Sequence, residues 1–353
     1  MKNLSEYQVS ATDWRKQIHL NERRTILVIS LFIFIYLAIG MLIDLYLHSG
    51  LVHTPYGIVK PPLDLIFNSL ITFQITPFFT LIMMGIATIS IIITFAAHDR
   101  LMLLGVEYQE INSENLNSLE EKQLYNIIEE MKTAAGLRYM PKVYIIEANY
   151  MNAFASGYSE KSAMIAITRG LMRKLNRSEL QAVMAHELSH IRHHDIKLTL
   201  MASVLSNLTL IMVDILFYNI IFGRDRDRDN RLAMLILLLR FILPILTIIL
   251  LLYLSRTREY MADAGSVELT RNNLPLANAL LKISQDHQIN NEQYSRTYEQ
   301  TPHEDVRRAA YIFDPAQAGI FSAKSINSLF STHPSLEERL KALGIESKVL
   351  KKQ

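Results

Sequence analysis

Four long apolar blocks constrain this chain more than any other feature: Thr25 to Leu47, Leu65 to Ala97, Leu198 to Phe222 and Leu232 to Leu254. Each exceeds the roughly 18 residues that mark a membrane-spanning helix. Leu65 to Ala97 runs uncharged past Pro77 and is longer than one straight span needs, so a tilted or kinked helix with its end in the interface is expected. The first block starts too far from the N-terminus, and runs too long, for a cleaved signal peptide. Half of the residues are hydrophobic. Their bunching indicates an α-helical multi-pass membrane protein of about four transmembrane helices with a soluble part.

Charge between the blocks gives an orientation. Arg15, Lys16, Arg23 and Arg24 precede the first block, whereas the loop 48–64 carries one basic residue, Lys60. That bias places the N-terminal tail in the cytoplasm and the loop outside. The chain then divides into a tail (1–24), two spans (25–98), a soluble segment (99–197), a helical hairpin (198–254) and a second soluble segment (255–353). Each hairpin block has one interior charge, Asp214 and Arg240, placed symmetrically about Asp227. An antiparallel helix pair brings them to the same depth, where pairing offsets part of the cost of each charge. Two full crossings put the loop 223–231 outside despite Arg224, Arg226, Arg228 and Arg231; a shallow hairpin is the alternative. A net charge of +2 without a dense basic stripe argues against nucleic acid. With no cysteine, any metal must be held by histidine and carboxylate.

The soluble segments read as a small α+β unit. Ser118 and Glu121 suggest a capping box opening a helix with Leu124, Ile127, Ile128 and Met131 on one face and Gly136 near its end. Val143 to Glu147, Met151 to Ser156 and Ala163 to Thr168 read as strands, with Gly157 as a turn. Gly170 to Leu175 reads as a short helix.

Chemistry concentrates in Ser178 to Asp195, SELQAVMAHELSHIRHHD. Ser178 and Gln181 form a second apparent capping box, and Leu180, Val183, Met184, Leu188 and Ile191 recur at helical spacing. On that helix His186 and His190, four apart, share a face and can hold one Zn²⁺, with Glu187 beside them to take a proton from water. A chance H-E-x-x-H arises in about one chain in a hundred of this composition, so context must decide. Zinc catalysis needs a third protein ligand and one open position. Glu259 and Asp263, four apart in E-Y-M-A-D, place two carboxylates on one helical face just after the fourth block. His193, seven residues after His186, lies on the same stripe and is a lesser candidate.

The succession HELSHIRHHD, a span pair, SRTREYMADAGSVEL and THPSLEERL resembles the HtpX family of bacterial membrane zinc peptidases, relatives of the CAAX prenyl proteases, across nearly the whole chain. The resemblance implies a zincin-like (gluzincin) catalytic domain and one Zn²⁺ per subunit held by His186, His190 and Glu259. It implies Glu187 as catalytic base, Asp263 as the residue orienting a ligand, His333 near the zinc and Arg339 in a supporting electrostatic role. Asn152-Ala153-Phe154-Ala155 matches the family's edge strand, expected to align a peptide by strand addition. Asp195 matches an acidic residue that follows the family motif and orders the helix end. The implied function is a zinc endopeptidase of the bacterial inner membrane, acting on the cytoplasmic side in quality control and stress response. Its partners would be unfolded membrane polypeptides, the bilayer and, compatibly, further copies of the chain.

Three other readings fare worse. An intramembrane protease would bury its motif in a span, yet Lys174, Arg177, Glu179, Arg192 and Asp195 flank this one. A metal transporter or sensor would place ligands in the apolar blocks, which contain no histidine. A silent zinc-binding scaffold would usually have lost the glutamate, and Glu187 is present.

Overall fold

Three of the four apolar blocks are helical throughout and the second is helical in two pieces, as suits a backbone without water to bond. The computed structural model describes residues 7–9, 14–55, 57–157, 159–222, 229–302, 307–320 and 332–347. Strand β1 (Tyr7–Val9) precedes helix α1 (Trp14–His48), a hairpin of β2 (Val52–Thr54) and β3 (Gly57–Val59), and helices α2 (Leu63–Ile71) and α3 (Phe78–Leu103). Next come β4 (Tyr108–Ile111), α4 (Leu119–Ala135), β5 (Lys142–Ile146), β6 (Ala153–Ser156), β7 (Met164–Thr168), α5 (Arg169–Lys174) and α6 (Arg177–Arg192). The chain continues through α7 (Asp195–Phe222), α8 (Asn230–Thr270), α9 (Leu274–Ile289), α10 (Asn291–Gln300), a 3-10 turn (Pro315–Ala318), α11 (Leu336–Ala342) and β8 (Ile345–Ser347). Four helices among the described residues are long and apolar enough to cross a membrane: 15–48, 78–97, 195–222 and 230–270. The chain clusters into two units, one of residues 26–94 and 199–251, the other of residues 1–25, 95–198 and 252–353.

In the first unit the second apolar block is not a single tilted or kinked helix. It stops at Ile71 and restarts at Phe78, because Pro77 disfavours helix in the residue before it and suits the start of a new one. The exposed amides of the restarted helix are met from α1. Asp44 accepts the backbone N–H groups of Phe79 and Thr80 at 2.9 Å each and the Thr80 hydroxyl at 2.7 Å. Asp214 and Arg240 form the expected ion pair, and the guanidinium lies 4.1 Å from the centre of the Phe217 ring. At the start of α8, the Asp229 N–H donates to Ser49 Oγ at 3.1 Å and the Asp229 carboxylate lies 3.9 Å from Lys60 Nζ. The beginning of α8 is therefore at the same end of this unit as the loop 48–64. A helix of 28 residues, α7, spans about 42 Å, long enough for a full crossing. Arg224, Arg226 and Arg228 lie outside the described residues.

The second unit contains a four-stranded sheet in the order β4-β5-β7-β6, with β5 and β7 parallel and the other neighbours antiparallel. This leaves β6 at an edge. The three expected strands form within a few residues of their predicted limits; β4 was not anticipated, since Y-Q-E-I is short and mostly exposed or half-buried. One sheet face, with Val143, Ile145, Ile165 and Ile167, packs in one core with Leu124, Ile127 and Ile128 of α4 and Leu180, Val183 and Met184 of α6. On the other face Tyr144, Phe154 and Ala166 join Tyr150, Tyr294, Tyr298 and Tyr311. Ser118 caps α4 by accepting the Glu121 N–H, but the Glu121 carboxylate takes the N–H of Asn117, so the expected box is only half formed. Gly136, at φ 72°, ends the helix.

Candidate active site

The helix carrying H-E-x-x-H opens two residues earlier than the Ser178–Gln181 pattern suggests. Asn176 accepts the Glu179 N–H at 3.0 Å, and the Glu179 carboxylate takes the Asn176 N–H at 2.9 Å. Asn176 keeps extended backbone angles, while Ser178 is already helical and donates to the Asn176 side chain. That capping box starts a helix whose central residues are buried, including His186 and Glu187. Helix α8 approaches it at small residues. A Cβ added at Gly265 would sit 2.1 Å from Ser189 Oγ, and Ser266 Oγ donates to the Ala182 carbonyl at 2.7 Å. Because α8 continues unbroken past its apolar stretch, it carries Glu259 and Asp263 to this contact.

Three donor groups converge. His186 Nε2 and His190 Nε2 are 3.2 Å apart, and the Glu259 carboxylate oxygens lie 3.7 Å and 3.5 Å from them. Ligand bonds of about 2.0–2.1 Å at tetrahedral angles would separate donors by about 3.3 Å, so the spacing suits one small cation. The rear nitrogens supply a second test. His186 Nδ1 lies 3.0 Å from Asp263 and His190 Nδ1 2.6 Å from Asp195. A proton on each Nδ1 satisfies those carboxylates and leaves both Nε2 lone pairs pointing at one another beside a carboxylate. A bound cation relieves that crowding of electron pairs. The residues present fit a metal.

Glu187 stands next to this group without joining it. Neither of its carboxylate oxygens has a hydrogen-bond partner among the described residues. Burial first, then the charge of Glu259, pushes its pKa well above the usual carboxylate range, while Arg339 and the Ala155 amide of edge strand β6 pull the other way. Burial, aided by the charge of His186, holds the His190 pKa well below its ordinary value, so the ring is neutral and able to ligate. Arg339 binds Asp263 through two nitrogens at 2.9 Å and 2.6 Å and sits 3.5 Å from Glu259. It thus clamps the side chain behind His186 to the converging carboxylate. His333 Nε2 lies 3.8 Å from Glu259. Burial lowers its pKa to about 4, with Asp314 and the backbone bond of Tyr311 opposing and Arg339 adding to the effect, so it too is neutral.

The structure brings His186, Glu187, His190, Glu259, Asp263, His333 and Arg339 together. The side chains of Asn152, Ala153 and Phe154 are buried. The Asn152 amide holds the backbone of Phe313 at 3.0 Å, and the Ala153 carbonyl accepts the Ile312 N–H at 2.9 Å. Phe154 points into the tyrosine cluster. What β6 offers near Glu187 is backbone, at Ala155. His193 stands outside the donor group and donates from Nδ1 to the Ser189 carbonyl at 2.9 Å. Sequence reasoning missed Arg258, which is buried and ion-paired with Asp195. Its one signal was position, next to Glu259.

Comparison with known proteins is consistent with this geometry. The model of peptidase family M48 matches residues 118–346. A protease HtpX homolog of Helicobacter pylori (strain Shi470) is 38% identical over 333 residues, covering 94% of this chain and 98% of the relative. A protease HtpX homolog of Streptococcus uberis (strain ATCC BAA-854 / 0140J) is 32% identical over 342 residues, covering 93% and 98%. Among solved structures, the crystal structure of S. mikatae Ste24p matches with a TM-score of 0.47 at 18% identity, over 80% of this chain and 62% of that one. The family match over most of the chain, with relatives aligned along nearly their full length, makes this chain a member of peptidase family M48, a multi-pass membrane protease of the HtpX type.

Proposed function

We propose that the chain is a zinc-dependent endopeptidase of the bacterial inner membrane. Its active site would lie on the cytoplasmic side and cleave unfolded or damaged membrane proteins, as a part of quality control under stress. The observation that carries the chemistry is the convergence of His186, His190 and Glu259 at tetrahedral spacing beside the unbonded carboxylate of Glu187. Two imidazoles and a carboxylate, without thiolate, suit zinc and leave a position open. The basic residues ahead of the first apolar block support the cytoplasmic placement, and the relatives' names support polypeptide substrates.

When bound, zinc would supply Lewis acidity, making a water acidic near neutral pH and polarising the scissile carbonyl. The chain's own residues do the rest. Glu187 accepts the proton of the attacking water and passes it to the leaving amine. His333, neutral and beside Glu259, is placed to donate to the developing oxyanion. The Ala155 backbone offers an extended substrate the hydrogen bonds of an added strand.

The test is zinc content and casein hydrolysis of the detergent-purified protein. Glu187→Gln should keep about one zinc and lose activity by about 10²- to 10⁴-fold. His186→Ala or Glu259→Ala should lose metal and activity together. Activity retained in Glu187→Gln, with contamination excluded, would overturn the mechanism.

A further inference from the structure

His190 and Asp195 are five residues apart, about 140° around a continuous helix, so their side chains could not meet if the helix ran on. It does not run on. Helix α6 ends at Arg192, and His194 adopts a left-handed φ of 54°, a strained conformation for a residue with a Cβ. The turn redirects the chain into α7 and folds Asp195, its first residue, back under the ring of His190. One carboxylate oxygen meets His190 Nδ1 at 2.6 Å, and the other pairs with the guanidinium of Arg258. Asp195 and Arg258 are each only 3% exposed. Arg258 in turn belongs to α8 and immediately precedes Glu259.

Behind His186 stands the same arrangement, built from other elements: His186, Asp263, Arg339. Each converging imidazole is therefore backed by a buried carboxylate, and each carboxylate by a buried arginine. The arginine beside each carboxylate holds it in place to accept the Nδ1–H, which keeps the Nε2 lone pair turned toward Glu259.

From this geometry we propose that Asp195 and Arg258 are positioning residues for the metal. They fix the tautomer and tilt of His190, and they tie the end of the H-E-x-x-H helix to α8 beside the third donor. The proposal rests on the metal reading of His186, His190 and Glu259. It assigns the Asp195–Arg258 pair a role in affinity and ligand geometry, beyond ordering a helix end.

The experiment uses the full-length protein in detergent. Zinc affinity is measured by competition with a chromophoric chelator, ligand geometry by the visible spectrum of the Co²⁺-loaded protein, and folding by thermal unfolding of the metal-free form. Asp195→Asn and Arg258→Gln should each weaken zinc binding about 10- to 100-fold and alter the Co²⁺ bands. Arg258→Lys should recover most of the affinity. Either single neutral variant strands one buried charge and can fail to fold, so the neutral double variant Asp195→Asn/Arg258→Gln is made as well. It leaves no lone charge, should unfold near the wild-type temperature without metal, and should still bind zinc at least about 10-fold more weakly. A double variant that folds with wild-type affinity and an unchanged Co²⁺ spectrum overturns the proposal, since a purely structural pair moves only the unfolding temperature. So does a double variant that cannot fold while Arg258→Gln binds zinc like the wild type. Failure of the underlying metal reading looks different: the wild type itself then holds no stoichiometric zinc, and Glu259→Gln changes nothing.

Discussion

Asp263 and Arg339 bring opposite charges to places that are 1% and 2% exposed. Removing one partner strands the other. Asp263→Ala should therefore destabilise the metal-free protein by about 3–5 kcal/mol, seen as a lower unfolding temperature in detergent; an unchanged temperature would mean that the pair is not a stabilising unit. Metal-free protein is needed because zinc bound to the folded state adds its own stabilisation. His287 gives a second residue-level outcome. It is fully buried, donates from Nδ1 to the Ile283 carbonyl and faces the Tyr298 hydroxyl, and burial lowers its pKa to about 4. Between an unfolded value near 6.5 and that folded value, the unfolded chain binds a proton that the folded chain refuses. Its contribution is complete above about pH 6.5 and is lost as pH falls toward 4, by up to about 3 kcal/mol. The drop in stability from pH 7.5 to 5 should shrink in His287→Gln; an equal drop in both proteins would assign it to other groups. His186, Glu187 and His190 were legible in the sequence because their relation is set by one helical turn, whereas Glu259 and Asp263 stood out only through the family resemblance, E-x-x-x-D alone being common among surface acids. Arg258 was not legible, since S-R-T-R-E-Y reads as a solvated charge run and only the turn at His194 gives Arg258 its partner.

Between elements, the decisive contact is the approach of α8 to α6 at Gly265. A methyl there meets Ser189 Oγ at 2.1 Å and Ser189 Cβ at 2.8 Å, and neither helix backbone can yield without shifting side chains that hold the donors. Gly265→Ala should cost about 1–3 kcal/mol of stability and lower zinc occupancy with it. Ser189→Gly added to Gly265→Ala should restore part of the occupancy, as it removes the clashing atoms. If occupancy is untouched in Gly265→Ala, the helix spacing does not control the site. Most helices were visible from periodicity and length, but two kinds of feature were not. Pro77 was read as a kink because nothing local shows that Asp44, 35 residues before Phe79, supplies the acceptors for a new helix start. The parallel pairing of β5 with β7 joins segments whose order in a sheet no local pattern encodes.

At the scale of the whole molecule, the chain leaves the mixed α/β unit at Leu198 and rejoins it at Leu252. A segment that returns to the membrane face it left crosses the bilayer an even number of times. The Arg240–Asp214 pair fits two antiparallel crossings. Asp214→Arg or Arg240→Asp alone should lower the unfolding temperature, and the double swap should recover much of the loss; a double variant as unstable as the sum of the singles would remove the pair from the account. Sidedness is set at the far end of the hairpin. Asp229 bonds Ser49 and neighbours Lys60, so the start of α8 lies at the same end of its unit as the loop 48–64. The arginines at 224, 226 and 228 argue for the cytoplasmic face, while the four basic residues before the first apolar block argue that this end is external. The first span dominates orientation in most chains, and the Asp229 contacts tie both loops to one outcome. The chain has no native cysteine, so single cysteines report cleanly. In intact cells stripped of any outer barrier, an impermeant maleimide should label both Lys60→Cys and Gly223→Cys. Lys161→Cys, in the mixed unit, should react only after permeabilisation. Labelling at position 60 but never at 223 would separate the two loops and sink the two-crossing hairpin.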